Sequence, residues 1–333
     1  MSTGRLPENV RVSVGSAIVL ELTEGMIDAK PTTIYLLTYR PEKCSANCGF
    51  CPQARTSRGS ADMLSRVTWP PFPTEEVLSK IEQAVESGAT KRVCIQALNY
   101  PTVFDDLLNL VKEVRSRVEV PISISCQPLN KEQVIRLAEA GVDRVSIPLD
   151  AATKELFDKV KGPLAHGPYL WEKQRKALEE AVQALGKDRV STHLIAGLGE
   201  TEKEILETIQ WCVDLGVRPG LFAFTPIPGT ALEDHPPPAL SYYRRVQVAR
   251  HLIVHGKTRC EKMTFEKDGR LINLGVPRER VWQTVKTGSP FLTSGCPGCN
   301  RPYYNERPSG PMYNYPRPPS PEEITEIEKQ VDI

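Results

Sequence analysis

Residues 44–51 have the sequence CSANCGFC, and the spacing of Cys44, Cys48 and Cys51 decides how the rest of the chain is interpreted. The stretch follows an apolar run at residues 33–38, which predicts a buried strand. Three thiolates at the spacing C-x3-C-x2-C can hold three corners of a [4Fe–4S] cube. The fourth iron then lacks a protein ligand and can bind a small molecule through an amine and a carboxylate. We therefore predict a cluster site in the loop after this strand.

A structural zinc site is the alternative use of the same three cysteines. Structural zinc takes four protein ligands, commonly arranged as C-x2-C pairs. The next cysteine after this motif is Cys94, and the first histidine of the chain is His166. Since no fourth ligand follows nearby, the spacing favours the iron–sulfur cluster over zinc.

The composition excludes several classes of partner. The chain has 333 residues, and 42 Lys and Arg against 41 Asp and Glu give a net charge of +1, so we expect no nucleic acid partner. No apolar run reaches the roughly 18 residues of a membrane span, and residues 12–22 are too polar for a signal peptide, so we expect no membrane association. We place the protein in the cytoplasm, where its nine cysteines favour metal ligation over disulfides.

Strand-like runs alternate with helical patterns along most of the chain. Strands are predicted at residues 33–38, 92–97, 121–126, 144–148, 190–195 and 221–225, and helices at residues 74–87, 103–117, 131–140, 169–185, 201–215 and 239–255. This alternation predicts an α/β fold with a parallel sheet, and six such units favour a (β/α) barrel over an open sheet. In such a barrel the active site lies at the carboxyl ends of the strands, where the first cysteine loop also lies.

The remaining patterns extend this barrel towards a near-complete TIM-type barrel. A hairpin at residues 262–265 and 270–274 takes the seventh strand position, a helix follows at 277–287, and residues 291–293 form an eighth strand. We therefore divide the chain into an N-terminal extension with a helix at residues 12–24, the barrel, and a C-terminal tail rich in proline. The boundaries of these three parts are 1–32, 33–293 and 294–333.

The chain resembles the radical S-adenosylmethionine (SAM) enzymes, and within them biotin synthase and its relatives. The resemblance is carried in order by CSANCGFCPQA at residues 44–54, RVCIQA at 92–97, ISISC at 122–126, SIPLD at 146–150 and HLIAGLGET at 193–201. It covers about residues 33–270 and implies a radical SAM barrel with a SAM-binding [4Fe–4S] cluster. In this family an electron given to bound SAM yields a 5′-deoxyadenosyl radical, which removes hydrogen from an unactivated carbon.

The same resemblance implies that SAM is bound by Phe50, Asp150, Ile195, Gly197, Glu200 and Pro226. Asp150 would accept hydrogen bonds from the ribose hydroxyls, and the glycine-rich turn would approach the adenine. The alternative for Asp150 is a cap on a helix that begins at Ala151. The alternative for the glycine-rich turn is that it only precedes a capped helix at Thr201.

Biotin synthase also holds a second cluster, which donates sulfur, on strands two, three, five and seven. The resemblance places Cys94 and Cys126 at the positions on strands two and three. The strand-five position is Ser191, and the strand-seven position falls near Lys262, where no arginine is evident. The set of ligands seen in biotin synthase is therefore incomplete in this chain.

A C-x2-C pair in the tail, Cys296 and Cys299, supplies two further thiolates. We predict that Cys94, Cys126, Cys296 and Cys299 together hold an auxiliary [4Fe–4S] cluster. The alternative is a rubredoxin-like knuckle or a redox pair that is independent of the barrel. Two other cysteines, Cys212 and Cys260, are interpreted as packing residues.

The barrel followed by the tail sequence CPGCNRPYYNERPSGPMYNYPRPP, residues 296–319, resembles the archaeal-type lipoyl synthases that consist of two proteins. That resemblance implies sulfur insertion into an octanoyl chain on a carrier lysine, at carbon C6 or C8. The implied partners are an octanoylated lipoyl carrier protein (glycine cleavage H protein or a 2-oxoacid dehydrogenase E2 domain), a homologous second component and a ferredoxin-like reductant. Tyr303, Tyr304, Arg301 and Arg307 would line the entry for the carrier or belong to a solvated tail.

Two classes of alternative function stay open at this point. One is another activity of the biotin-synthase-like enzymes, namely biotin synthesis, hydrogenase cofactor maturation or an amino-acid mutase reaction. The other is a protein without catalytic activity that carries iron–sulfur clusters or transfers electrons. His193 shares a strand face with Ser191 and Ile195. It is interpreted as a hydrogen-bonded barrel residue, with contact to substrate or cluster as the alternative.

Overall fold

The main sheet of the computed structural model, which describes residues 6–333, contains eight strands. The strands of the model are β1 (Asn9–Val12), β2 (Ile34–Thr38), β3 (Met63–Leu64), β4 (Val67–Thr68), β5 (Pro71–Pro73), β6 (Val93–Gln96), β7 (Ile122–Ser125), β8 (Val142–Ser146), β9 (Val190–Ala196), β10 (Val217–Ala223), β11 (Thr264–Phe265) and β12 (Leu271–Asn273). The order in the main sheet is β10-β9-β8-β7-β6-β2-β1-β5, and β3 pairs with β4 in a separate hairpin.

Helices connect the strands and cover one face of the main sheet. They are α1 (Val14–Val19), α2 (Thr74–Glu86), α3 (Val103–Arg117), α4 (Lys131–Glu139), α5 (Lys154–Val160), α6 (Trp171–Leu185), α7 (Glu202–Leu215), α8 (Leu240–Val254), α9 (Arg278–Lys286) and α10 (Pro321–Gln330). The predicted capping box is present at the start of α7, where Thr201 N donates to Glu204 Oε2 over 2.7 Å. Helix α5 was not predicted. None of the described helices is long and apolar enough to cross a membrane.

Strands β2, β6, β7, β8, β9 and β10 pair in parallel, which confirms the predicted α/β barrel. The side chains alternate as a pleated strand requires. In β6, Val93 and Ile95 are buried in the core under the helices, whereas Cys94 and Gln96 line the central cavity. The alternation therefore divides each strand between a structural face and a cavity face.

The predicted seventh and eighth barrel strands are wrong for the described residues. Strands β11 and β12 form their own two-stranded sheet, and Ser289–Phe291 is a short 3-10 helix. The hairpin is held outside by Glu202, whose carboxylate accepts from Leu271 N over 2.7 Å and from Arg245 Nε over 2.9 Å. Because α7 and α8 bind the hairpin, the hairpin does not join the main sheet. The parallel part of the barrel therefore has six strands.

The N-terminal segment is also different from the prediction. Residues 9–12, expected to lie in a tail and at the start of a helix, form β1, which pairs antiparallel with both β2 and β5. Helix α1 is shorter than predicted and begins after Ser13, whose Oγ accepts from Ser16 N over 3.4 Å. The boundary at residue 32 is therefore corrected, since β1 belongs to the main sheet.

The tail packs against the barrel from the last strand to the segment before β2. Ser294 Oγ accepts from Leu221 N of β10 over 2.7 Å. Further on, Asn300 Nδ2 donates to Lys30 O over 2.9 Å, and its Oδ1 accepts from Thr32 N over 3.0 Å. The tail thereby crosses the side of the barrel that the six strands leave open. Of the four residues for which a solvated tail was the alternative, Tyr304 is buried and Arg307 is exposed.

The Glu202–Arg245 pair provides a test of how the hairpin is held. Both side chains are buried, so Glu202→Gln leaves the guanidinium without its charge partner and should lower the free energy of unfolding by about 3 kcal/mol. Glu207→Gln removes the exposed ion pair with Lys203 and should change it by less than about 0.5 kcal/mol. Equilibrium denaturation of the two variants, followed by circular dichroism, measures the difference. Equal effects would contradict the assigned role.

Candidate active site

The first cysteine loop follows β2 and is fixed by backbone hydrogen bonds. Cys44 Sγ accepts from Asn99 N over 3.1 Å and from Ala46 N over 3.4 Å. Gly49 N donates to Val160 O over 2.7 Å, so the loop also binds the end of α5. The loop is thus attached on both sides, and its three thiols occupy defined positions.

The three thiols act on one another electrostatically. Burial raises the pKa of Cys48 to about 12. Burial also raises the pKa of Cys51, and the charges of Cys48 and Cys44 raise it further. Like charges have this effect only at short range. All three side chains also pack in one core cluster, so they lie close together, and as thiolates they require a positively charged occupant.

This donor set fits a [4Fe–4S] cluster. Among the residues that the structure describes, no three His, Cys, Asp or Glu side chains group closely enough for a single metal ion. A cube spreads its irons over four corners, so its thiolates stand further apart than the ligands of one ion. Cys44, Cys48 and Cys51 would hold three irons and leave one for SAM.

Asp150 lies beside the cysteine loop, in a left-handed backbone conformation with a φ of 67°. Its backbone bridges to β9, because its N donates to His193 O over 2.7 Å and its O accepts from Ile195 N over 2.8 Å. Its side chain accepts from Lys161 Nζ over 2.7 Å and lines the cavity. The alternative role as a helix cap is wrong, since α5 begins after Thr153. Lys161 was missed, because nothing in its local sequence marks it as buried.

The glycine-rich turn after β9 contributes less to the cavity than predicted. Glu200 is buried, and its carboxylate accepts from Gly197 N over 2.6 Å, from Leu198 N over 3.0 Å and from the Tyr242 hydroxyl. Because the carboxylate is used by its own turn, the proposed cofactor contacts of Gly197 and Glu200 are corrected. Pro226 also lies outside the cavity lining, whereas Ile195 belongs to it.

A single cavity of about 200 Å³ connects these elements. Phe50 and Cys51 line it from the first cysteine loop, and Ser191 and His193 line it from β9. Burial lowers the pKa of His193 to about 4, so its imidazole is neutral near pH 7. Its ring lies 4.8 Å from that of Phe222. His193 therefore faces the cavity and contacts an aromatic ring there, instead of serving as the expected hydrogen-bonded barrel residue.

A second group of thiols lines the same cavity and consists of Cys94 on β6 with Cys296 and Cys299 in the tail. After burial, the charges of Cys296 and Cys299 are the main causes that raise the pKa of Cys94, so the three side chains lie close together. The Tyr35 hydroxyl lies 2.9 Å from Cys299 Sγ, and Ser123 Oγ lies 3.4 Å from Cys296 Sγ. The structure thus brings together three of the four cysteines predicted for the auxiliary cluster.

Cys126 is not part of this group, which corrects the predicted set of four. In β7, Ser123 and Ser125 face the cavity, and period-two alternation turns the next side chain away. Cys126 is buried in the outer core and lines a different cavity with Leu107 and Leu129. Cys212 and Cys260 are buried packing residues, as predicted.

The cavity is also lined by a cation, Arg301, which the sequence resemblance places at the entry for the carrier. The Arg301 guanidinium lies 3.8 Å from the centroid of the Phe222 ring and donates to Ser294 O over 3.3 Å. Burial raises the pKa of Cys299, and Arg301 opposes this. Its neighbour Tyr303 instead points to Asp28 at the surface. A cation beside three thiols offsets the negative charge that they carry as thiolates. Lys262 lies outside the cavity lining, and Arg307 is exposed.

Several curated proteins are similar in sequence. The biotin synthase of Corynebacterium glutamicum strain R is 29% identical over 60% of this chain and 56% of its own length. The chain thus spans about half of the length of the first curated relatives that it matches. The biotin synthases of Nitrosopumilus maritimus and Synechococcus elongatus are each 28% identical, over 83% and 79% of this chain and 81% and 80% of their own lengths.

Solved structures and a family model agree with the fold. Methylornithine synthase superposes with a TM-score of 0.52 at 15% identity, over 73% of this chain and 68% of that one. A maturase of [FeFe]-hydrogenase gives 0.52 at 14%, over 64% and 47%. The model of the radical SAM superfamily matches residues 39–212, just over half of the chain. The cysteine loop at the head of a parallel barrel and this match establish that the chain belongs to the radical SAM superfamily, with biotin-synthase-like relatives.

Proposed function

We propose that the protein is a radical SAM sulfur-insertion enzyme and one component of a two-protein lipoyl synthase. One observation carries the proposal: Cys51 of the first cysteine loop lines the same cavity as the second group of thiols, Cys94, Cys296 and Cys299. A substrate in this cavity would lie between a SAM site and a source of sulfide. The biotin synthases that match four-fifths of the chain support the same class of chemistry.

The residues of the chain have distinct roles in this proposal. A SAM cluster on Cys44, Cys48 and Cys51 supplies, when bound, the electron that cleaves SAM. Asp150 would orient SAM through its ribose. Phe50 would pack against SAM at the cavity wall, which excludes water from the reaction.

The auxiliary [4Fe–4S] cluster, the proposed sulfur donor, would be held by Cys94, Cys296 and Cys299. The tail therefore provides two of three thiolates and is itself bound on both sides of the barrel, at Leu221 and at Thr32. Arg301 would offset the negative charge of this cluster.

An octanoyl chain on a carrier lysine is the proposed substrate. The wall formed by Phe222, Phe224 and Ile195 is apolar and suits an alkyl chain. The resemblance of the tail to two-protein lipoyl synthases supports a lipoyl carrier protein, a homologous second component and a ferredoxin-like reductant as partners. Biotin synthase activity is the second candidate, because the curated relatives are biotin synthases.

Replacing Cys44, Cys48 and Cys51 by alanine should remove about four irons per chain and abolish release of 5′-deoxyadenosine from SAM. Iron and sulfide analysis of anaerobically reconstituted protein and chromatography of the SAM products measure both effects. Cys212→Ala, which alters a buried thiol in α7, is the matched control and should keep its iron. Failure of the unaltered protein to cleave SAM under reducing conditions would support a cluster carrier instead.

Alanine at Cys94, Cys296 and Cys299 should remove about half of the iron, preserve SAM cleavage and stop sulfur transfer. Cys126→Ala should keep all of the iron, because its thiol faces the outer core and not the cavity. Iron analysis and Mössbauer spectroscopy distinguish the two variants. Equal loss of iron in Cys126→Ala would restore the original set of four cysteines.

The substrate is tested by incubating the protein with SAM, a reductant and an octanoylated lipoyl-domain peptide. Mass spectrometry should detect one sulfur added to the peptide by this component, and two when the second component is present. Dethiobiotin is the parallel substrate and should stay unchanged. Sulfur on dethiobiotin but not on the peptide would establish the biotin alternative.

A further inference from the structure

A fully buried lysine lies against the first cysteine loop. Lys161 follows α5 and is 0% exposed. Its Nζ donates to Asp150 Oδ2 over 2.7 Å and to Pro148 O over 2.9 Å, and it lies 5.0 Å from the centroid of the Tyr169 ring. Burying an ammonium group is costly unless it is paired and hydrogen-bonded. Packing alone therefore does not explain a lysine at this position.

The ammonium group lies close enough to act on the thiols. Its neighbour Val160 accepts the backbone hydrogen bond from Gly49, within the cysteine loop. Lys161 Nζ also lies 5.5 Å from the centroid of the Phe157 ring, and Phe157 and Tyr169 pack in the same core cluster as the three cysteines of the loop. A cation that favours thiolates also favours any occupant of the loop that carries more negative charge.

The same ammonium group sets the direction of the Asp150 side chain. Among the described residues, the side-chain hydrogen bond that this carboxylate accepts comes from Lys161 Nζ, and the acceptor is Asp150 Oδ2. The backbone of Asp150 is in the left-handed region, with a φ of 67°, and both its N and its O are hydrogen-bonded to β9. The carboxylate at the cavity wall is thus held from its backbone and from one oxygen.

We infer that Lys161 is a positioning residue of the SAM site, which aims Asp150 at the cofactor and supplies a buried positive charge beside the cluster of Cys44, Cys48 and Cys51. The fixed ammonium would stabilise the additional negative charge that a cluster on these thiolates carries after one electron from a ferredoxin-like protein, and it would raise the reduction potential. The inference rests on the SAM-cluster part of the proposed function and is independent of the substrate.

The test uses the anaerobically reconstituted full chain without substrate. Redox titration follows the electron paramagnetic resonance signal that changes when SAM is added, and equilibrium binding gives the Kd for SAM. Lys161→Met should have a more negative midpoint potential and bind SAM about tenfold more weakly, as loss of a charged hydrogen bond predicts. Lys154→Met, on the exposed face of α5, is the control and should match the unaltered protein in both measurements.

A second pair of variants isolates the charge without leaving an unpaired carboxylate. The potential of Asp150→Asn with Lys161→Met should be more negative than that of Asp150→Asn alone. Equal potentials within this pair, or an unaltered potential in a folded, cluster-loaded Lys161→Met variant, would overturn the inference. Absence of sulfur transfer would affect only the proposed function, because neither measurement involves an acyl substrate.

Discussion

The attachment of one loop on both sides is the constraint on which the rest of the site depends. Three thiolates repel one another, and burial makes each of them harder to ionise. The loop that carries them can hold this arrangement because Asn99 binds it from the end of β6 and Val160 binds it from the end of α5. Asn99 follows β6, and α5 lies in the connection that follows β8, so both attachments come from the carboxyl edge of the sheet, which is also the edge where SAM would bind.

Charge compensation follows from the same constraint. A buried or stacked cation lies beside each group of thiols, Lys161 next to the first loop and Arg301 next to the second group. The two cations are held differently. Lys161 is paired with Asp150 and is rigid, whereas Arg301 stacks on Phe222 and comes from the tail.

The tail completes what six parallel strands leave open. Its contacts with Leu221 and Thr32 reach from β10 to the segment before β2 and bring the C-x2-C pair to the cavity. A closed eight-stranded barrel would have no such opening. The described barrel lacks a seventh and an eighth strand. The opening that this leaves is where the tail brings the second thiol group to the cavity.

Much of the fold could be predicted from the sequence, because strand and helix periodicity depends on neighbouring residues. The six parallel strands, most of their helices and the C-x3-C-x2-C motif follow from such local patterns. The prediction of the seventh strand failed because Glu202, far away in the chain, binds the hairpin at Leu271. A local pattern has no information on that contact.

The sequence by itself determined the superfamily chemistry, since three cysteines at short spacing must lie on one loop. Only the tertiary structure decided the second group, because Cys94 and Cys299 are separated by most of the chain and meet through the docking of the tail. The strand register likewise decided between Ser123 and Cys126, since a shift of one residue moves a side chain to the other face of the sheet. The role of Lys161 could be inferred only from the tertiary structure, which shows it buried beside Asp150. The cost of burying its charge arises from that environment and not from its neighbours in sequence.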